Sequence, residues 1–195
     1  MNLKKSKLIL GIFLVAIALN VFLPNAFSQQ PQQEKVLDVR VYLTKKQAFE
    51  IFFPGADKVV REKNWVTPEQ LKKVEEITLQ EIESTNRINF YVGKKDGNIL
   101  GYAYLDHEIG KSFPITFMTV LNADGTVRDI EILVYREPRG WEVRYPSFMD
   151  QFTGKDAESD YRTINTISGA TLSVRAITKG VSRATALYKV IYLDK

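Results

Sequence analysis

Within "TISGATLSVRAITKGV", Thr166 to Val181, four small residues, Ser168, Gly169, Ala170 and Thr171, stand directly before a stretch with helical spacing. Hydroxyls at such a junction suit three kinds of chemistry. A helix cap is the simplest: Thr171 or Ser173 would accept from the free backbone N–H groups of the first turn, and Gly169 would only make the bend. A nucleophile is the second. "GVSRA" around Ser182 has a faint likeness to a nucleophile elbow, but it lies inside the helical stripe and lacks the second glycine. Phosphate attachment is the third. A helix N-terminus offers unpaired N–H groups and a partial positive charge. Gly169 and Ala170 carry almost no side chain, so a phosphorylated ligand can reach the backbone, and a threonine hydroxyl there can be esterified.

The rest of the inventory narrows the choice. The chain has no cysteine and one histidine, His107. Disulfides, thiolate zinc sites, iron–sulfur clusters and covalent c-type haem are excluded. A hydrolytic serine would depend on His107 as its base, and "LDHEIG" reads as a solvated turn following a strand. The formal charge of +4 is concentrated at the start of the chain. Without Lys4, Lys5 and Lys7, 24 basic residues face 23 acidic ones. A near-neutral domain does not suit nucleic acid.

Several elements must position the Ser168–Ser173 stretch. "LTKKQAFEIFFPGADKV" reads as a short helix entered at Thr44 and ended by Pro54-Gly55. "VTPEQLKKVEEIT" reads as a helix capped by Thr67, with Pro68 at its first position and Gln70 three residues after the cap. "INFYVG" and "NILGYAYL" flank "KKDG", and "PITFMTVLN" and "TVRDIEILVY" flank "ADG", giving two hairpins. "EPRGWEVRYP" reads as a loop and "SFMDQFTGK" as a short helix ending at Gly154. After Ser173, apolar or small residues at Val174, Ile177, Val181, Ala184, Tyr188 and Ile191 mark one face of a long helix, weakened by Gly180. The order predicts an α+β fold with a mainly antiparallel sheet of hairpins packed with helices. Residues 36–195 form one domain, with a helical part over 36–86 and a core over 87–195.

Ahead of it, "MNLKKSKLILGIFLVAIALNVFLPNAFSQQ" has a basic start and an apolar run, then Pro24 and Ala26-Phe27-Ser28. Residues 1–28 suit a signal peptide cut before Gln29, or an uncleaved N-terminal anchor. Either places residues 29–195 outside the cytoplasm, periplasmic or secreted, because the lysines stay inside. Residues 29–35 are a polar linker.

"SGAT", with Leu172 and Ser173 after it, resembles the flavinylation motif of the FMN-binding domain family. That family includes the FMN-carrying subunits of the sodium-pumping NADH:quinone oxidoreductase and of Rnf-type complexes. "HEIGKSFPITFMTVLNADGTVRDIEILVY" is similar to the family's approach to its hairpin, and "FMDQFTGK" and "FFPGAD" to two of its other segments. The chain departs from the pattern at Asn165, where the family has an acidic residue, and at "REPRGWEV", Arg136 to Val143, which stands for the family's "ETPGLG" loop.

The resemblance implies FMN linked through its phosphate to the side chain of Thr171. Ser168, Gly169 and Ala170 would shape the attachment turn, and Leu172 and Ser173 would open the helix beneath it. It also implies a Mg-dependent flavin transferase that moves FMN from FAD to the threonine, and a redox donor and acceptor, protein or quinone. Trp141 is a candidate to cover the isoalloxazine, with packing on the core as the competing role. The function expected is an extracytoplasmic flavoprotein that relays electrons, membrane-associated or extracellular, more a carrier or oxidoreductase subunit than a stand-alone enzyme. The alternative is a sensory or binding module that holds flavin non-covalently or not at all.

Overall fold

Six antiparallel strands build one sheet in the order β1-β6-β5-β4-β3-β2. They are β1 (Arg40–Val41), β2 (Lys58–Trp65), β3 (Arg87–Lys95), β4 (Asn98–Ile109), β5 (Pro114–Leu121) and β6 (Val127–Tyr135). The structure is a computed structural model and describes residues 39–82 and 87–194. The signal or anchor segment and the polar linker expected over 1–35 lie outside the described residues. Among the described residues no helix is long and apolar enough to cross a membrane.

The expected α+β class holds. Hairpin β3–β4 turns at Asp96 and Gly97, both with positive φ, which gives "KKDG" its physical role. Hairpin β5–β6 turns through Asp124 and Gly125; the Asp124 carboxylate accepts from the N–H and hydroxyl of Thr126. β1 and β2, which sequence patterning does not single out, take the two edges. β2 carries Lys58, Arg61 and Lys63 and pairs with β3 along its whole length.

Both faces of the sheet are covered. On one, α1 (Lys45–Phe52) packs over Ala103, Met118, Val120 and Leu133. On the other lie α2 (Pro68–Thr78) and α4 (Thr171–Tyr188), with the larger core of Phe90, Ile115, Phe117, Ile132 and Ile177. A short helix, α3 (Pro146–Met149), and 3-10 turns at Trp141–Arg144, Asp150–Phe152 and Tyr161–Thr163 carry the chain from β6 back to the start of α4. α1 and α2 each open on a complete capping box, Thr44 with Gln47 and Thr67 with Gln70.

Helix α4 comes so close to the sheet that a Cβ on Gly180 would lie 2.5 Å from Phe117 Cζ and 2.7 Å from Asp106 Oδ2. Three residues on, the Arg183 guanidinium is held 2.5 Å from both Asp106 and Glu108, while Lys179 reaches Glu108 at 3.5 Å. Burial pulls the Arg183 pKa down, but the two carboxylates raise it further, so the cation persists beneath the helix. α4 is thereby fixed to β4 by packing and charge, and its first turn is fixed with it.

Candidate functional site

The helix starts at Thr171, ahead of where an N-cap at Ser173 would place it. Ala170 is the N-cap residue, and its carbonyl takes the first helical bond from Val174 at 2.9 Å. No side chain caps this helix and no acidic residue stands in its first turn. The capping roles considered for Thr171 and Ser173 are therefore not filled. The contrast with α1 and α2 is physical: each of their capping boxes satisfies two N-terminal donors, whereas here no side chain takes any.

Ahead of the helix, Ala170 N–H donates to Ile167 O at 3.0 Å, closing a turn over Ile167, Ser168, Gly169 and Ala170. Gly169 sits in it with φ +82° and open space around it. The glycine is thus required by the backbone conformation rather than by crowding. Ala170 is buried, and Ser168, Thr171 and Leu172 are exposed.

Ser173 points inward. Tyr135, at the end of β6, donates its hydroxyl proton to Arg139 O at 2.7 Å, so the 2.8 Å contact with Ser173 Oγ carries the serine's proton. Burial pushes the Tyr135 phenol up to about 12, with the Ser173 hydrogen bond pulling the other way, and it stays a neutral donor. With its proton committed, Ser173 anchors the helix start to the 136–140 loop. The exposed hydroxyl in the first turn of the helix itself is that of Thr171.

That loop closes over the junction. Gly140, φ +87°, lies so near that a Cβ there would be 2.8 Å from Ser173 Oγ and 3.3 Å from Ala170 Cα. The Arg136–Val143 loop, one of the two places where the sequence departs from the expected pattern, is thus in direct contact with the turn ahead of the helix. The β4–β5 connection, Gly110 to Phe113, arrives from the third side. Its Gly110 N–H donates to Phe113 O at 3.0 Å. Together these segments enclose a cleft of about 380 Å³ lined by Lys111, Glu137, Arg139, Gly169, Thr171 and Leu172, among others. Larger grooves flank α4, of about 840 Å³ and 650 Å³, and Thr171 lines neither. The smaller cleft is the one that combines a helix N-terminus, an exposed hydroxyl and two cationic side chains.

Trp141 stands outside it. Its ring meets Tyr145 edge-on at 5.6 Å, with the Arg40 guanidinium 6.0 Å from its centroid. The nucleophilic alternatives are not assembled. Ser182 is buried within α4. His107 lies within β4, not in a turn after it, and shares a 3.0 Å hydrogen bond with Thr116. Among the described residues no cluster of His, Asp and Glu can hold a metal.

Glu137 and Lys111 do not stand out in the sequence. The acid of "REPRG" and the lysine of "HEIGKSF" look like ordinary loop charges, and only the fold brings them to Thr171.

Residues 110–186 match the family model described as FMN-binding domain. The resemblance drawn from "SGAT" and its flanks is therefore borne out across the segments that build the cleft. Two relatives agree. One is a subunit of the Na(+)-translocating ferredoxin:NAD(+) oxidoreductase complex of Acetobacterium woodii, 27% identical over 115 residues, 52% of this chain and 56% of that protein. The other is a subunit of the proton-translocating ferredoxin:NAD(+) oxidoreductase complex of Clostridium ljungdahlii, 25% identical over 122 residues, 55% of this chain and 66% of that one. The match thus spans less than two thirds of either relative.

Proposed function

We propose that this chain is an extracytoplasmic electron carrier that holds FMN by a phosphoester bond to the Thr171 side chain. The observation that supports it most is the uncapped start of α4, which sets its unpaired N–H groups and the Thr171 hydroxyl in one cleft with Lys111 and Arg139. These residues fit the phosphate of FMN. The helix end and the two cations favour its negative charge, Gly169 leaves the approach open, and Thr171 supplies the linking oxygen. FMN, once attached, supplies the reversible redox chemistry that a chain without cysteine lacks. Lys111 and Arg139 neutralise the phosphate, and Ser173, committed to Tyr135, keeps the first turn of α4 from moving away from it.

The covalent link suits a protein exported through the basic and apolar segment at its N-terminus, because a dissociable cofactor is lost by dilution outside the cell. Loading is assigned to a flavin transferase acting on FAD, and the partners are a redox donor and acceptor, proteins or a quinone system, in a membrane-associated chain. The relatives belong to ferredoxin:NAD(+) oxidoreductase complexes, which supports an electron-transfer role.

Intact-mass spectrometry after co-expression with a flavin transferase tests the proposal. Wild type is expected to gain the mass of one FMN less one water, on the tryptic peptide that contains Thr171. Thr171→Ala should remain unmodified while keeping stability within about 0.5 kcal/mol, since the side chain caps nothing. Thr171→Ser keeps the oxygen and should still load. An unmodified wild-type peptide in the presence of active transferase overturns the covalent reading. Flavin that leaves on denaturation points instead to a module that binds it non-covalently.

A further inference from the structure

Among the described residues Glu137 is the one acid lining the Thr171 cleft, and only 2% of it is exposed. A buried carboxylate beside a proposed phosphate site is repulsive unless its charge does something else there. Its oxygen Oε1 accepts from two backbone donors of the β4–β5 connection, Ser112 N–H at 2.5 Å and Phe113 N–H at 2.9 Å. Gly110 permits the approach: a Cβ at that position would lie 3.0 Å from Oε1 and 3.2 Å from Cγ of Glu137. Arg136 ties down the other end of the same connection, donating to Pro114 O at 2.9 Å and to Thr116 Oγ1 at 3.0 Å. Two neighbouring side chains that follow β6 thus dictate the shape of the connection between β4 and β5. The residue at the tip of that connection is Lys111, which lines the cleft.

We infer that Glu137 is a positioning residue: its carboxylate folds the Gly110–Phe113 turn so that Lys111 faces the start of α4, and it acts on the bound phosphate only through Lys111. The inference rests on the phosphate reading of the cleft given above. Its physical content is a trade. One buried negative charge, satisfied by two N–H groups, fixes a positive charge where an anion must sit. A carboxylate that was merely near the cleft would weaken anion binding. One that positions Lys111 strengthens it.

The test uses the full chain without flavin, inorganic phosphate as probe, and the amide resonances of Thr171, Leu172 and Ser173 as reporters. Phosphate should shift these resonances in wild type. Lys111→Ala should weaken binding about tenfold, the weight of one hydrogen bond to a charged group. Glu137→Gln, which removes the charge but keeps the shape, should weaken it to a similar extent and move the Ser112 and Phe113 amide protons upfield. The double variant should bind no more weakly than Lys111→Ala alone. Gly110→Ala, which pushes Glu137 aside while leaving its charge in place, should reproduce the loss.

Tighter or unchanged phosphate binding in Glu137→Gln overturns the inference, as does a double variant whose loss is the product of the two single losses. Absence of phosphate shifts in wild type also overturns it, whether or not mass spectrometry finds FMN on Thr171. FMN absent from Thr171 while the phosphate series behaves as expected removes the covalent reading and leaves the positioning role standing.

Discussion

Two glycines beside one another in space, Gly169 and Gly140, are required for different reasons, and the difference can be measured. Gly169 has φ +82° with no atom within 4 Å of a would-be Cβ, so only backbone strain opposes a side chain there. Gly140 combines φ +87° with a would-be Cβ 2.8 Å from Ser173 Oγ and 2.9 Å from the Tyr135 hydroxyl. Gly169→Ala should cost about 1 kcal/mol, the strain of a non-glycine left-handed residue. Gly140→Ala adds a steric collision and should cost about 2–4 kcal/mol. Urea denaturation of both variants checks this, and equal losses would mean that the loop does not press on the helix start. Ser173 explains why such closeness matters: its hydrogen bond to Tyr135 is the seam between loop and helix. In the sequence Ser173 looks like a cap because it stands at a helix entrance. Its partner is 38 residues away, and no local pattern reveals a bond of that range.

At the level of elements, Gly180 separates intrinsic propensity from packing. In an isolated helix, Gly→Ala gains about 1 kcal/mol. Here the new methyl would meet Phe117 at 2.5 Å and Asp106 at 2.7 Å, so Gly180→Ala should instead destabilise by about 1–3 kcal/mol. A rise in the denaturation midpoint would show that α4 has room to move off the sheet. The glycine that reads as a mild flaw in the helical stripe is what lets α4 lie flat on β5 and form the Arg183 ion group. Elsewhere, legibility follows the locality of the signal. The capping boxes of α1 and α2, the alternation in β6 and the turn residues of both hairpins are encoded within a few positions, and all are readable. β2 escapes notice because an edge strand rich in charge, "KVVREKNW", shows little apolar alternation. β1 spans two residues and exists only through its pairing with β6. The Ser168–Thr171 turn is readable from its small residues. The cleft around it is not, because its other walls come from residues 110–113 and 136–140, joined to it by long-range contacts.

For the molecule as a whole, its tyrosines set a limit on the alkaline side. Burial pushes the phenols of Tyr104, Tyr135 and Tyr161 from 10.0 up to about 12, with Asp106 adding to the effect at Tyr104. The unfolded chain therefore releases these protons at lower pH than the folded one. Their contribution to stability is complete below about pH 10 and is lost as pH rises through about 12. Stability should fall steeply in that window, and the tyrosinate absorbance of these three phenols should appear together with unfolding; the full tyrosinate absorbance of the chain reached near pH 10 in a still-folded protein would contradict the burial. The same core leaves Thr171 wholly on its outer side. Nothing in the two covered faces of the sheet, the Arg183 ion group or the Tyr135–Ser173 seam draws on a ligand. If FMN is joined to Thr171 as proposed, folding does not wait on loading. On that attachment, the polypeptide reaches its final shape colourless, and colour marks a later event rather than the completion of folding.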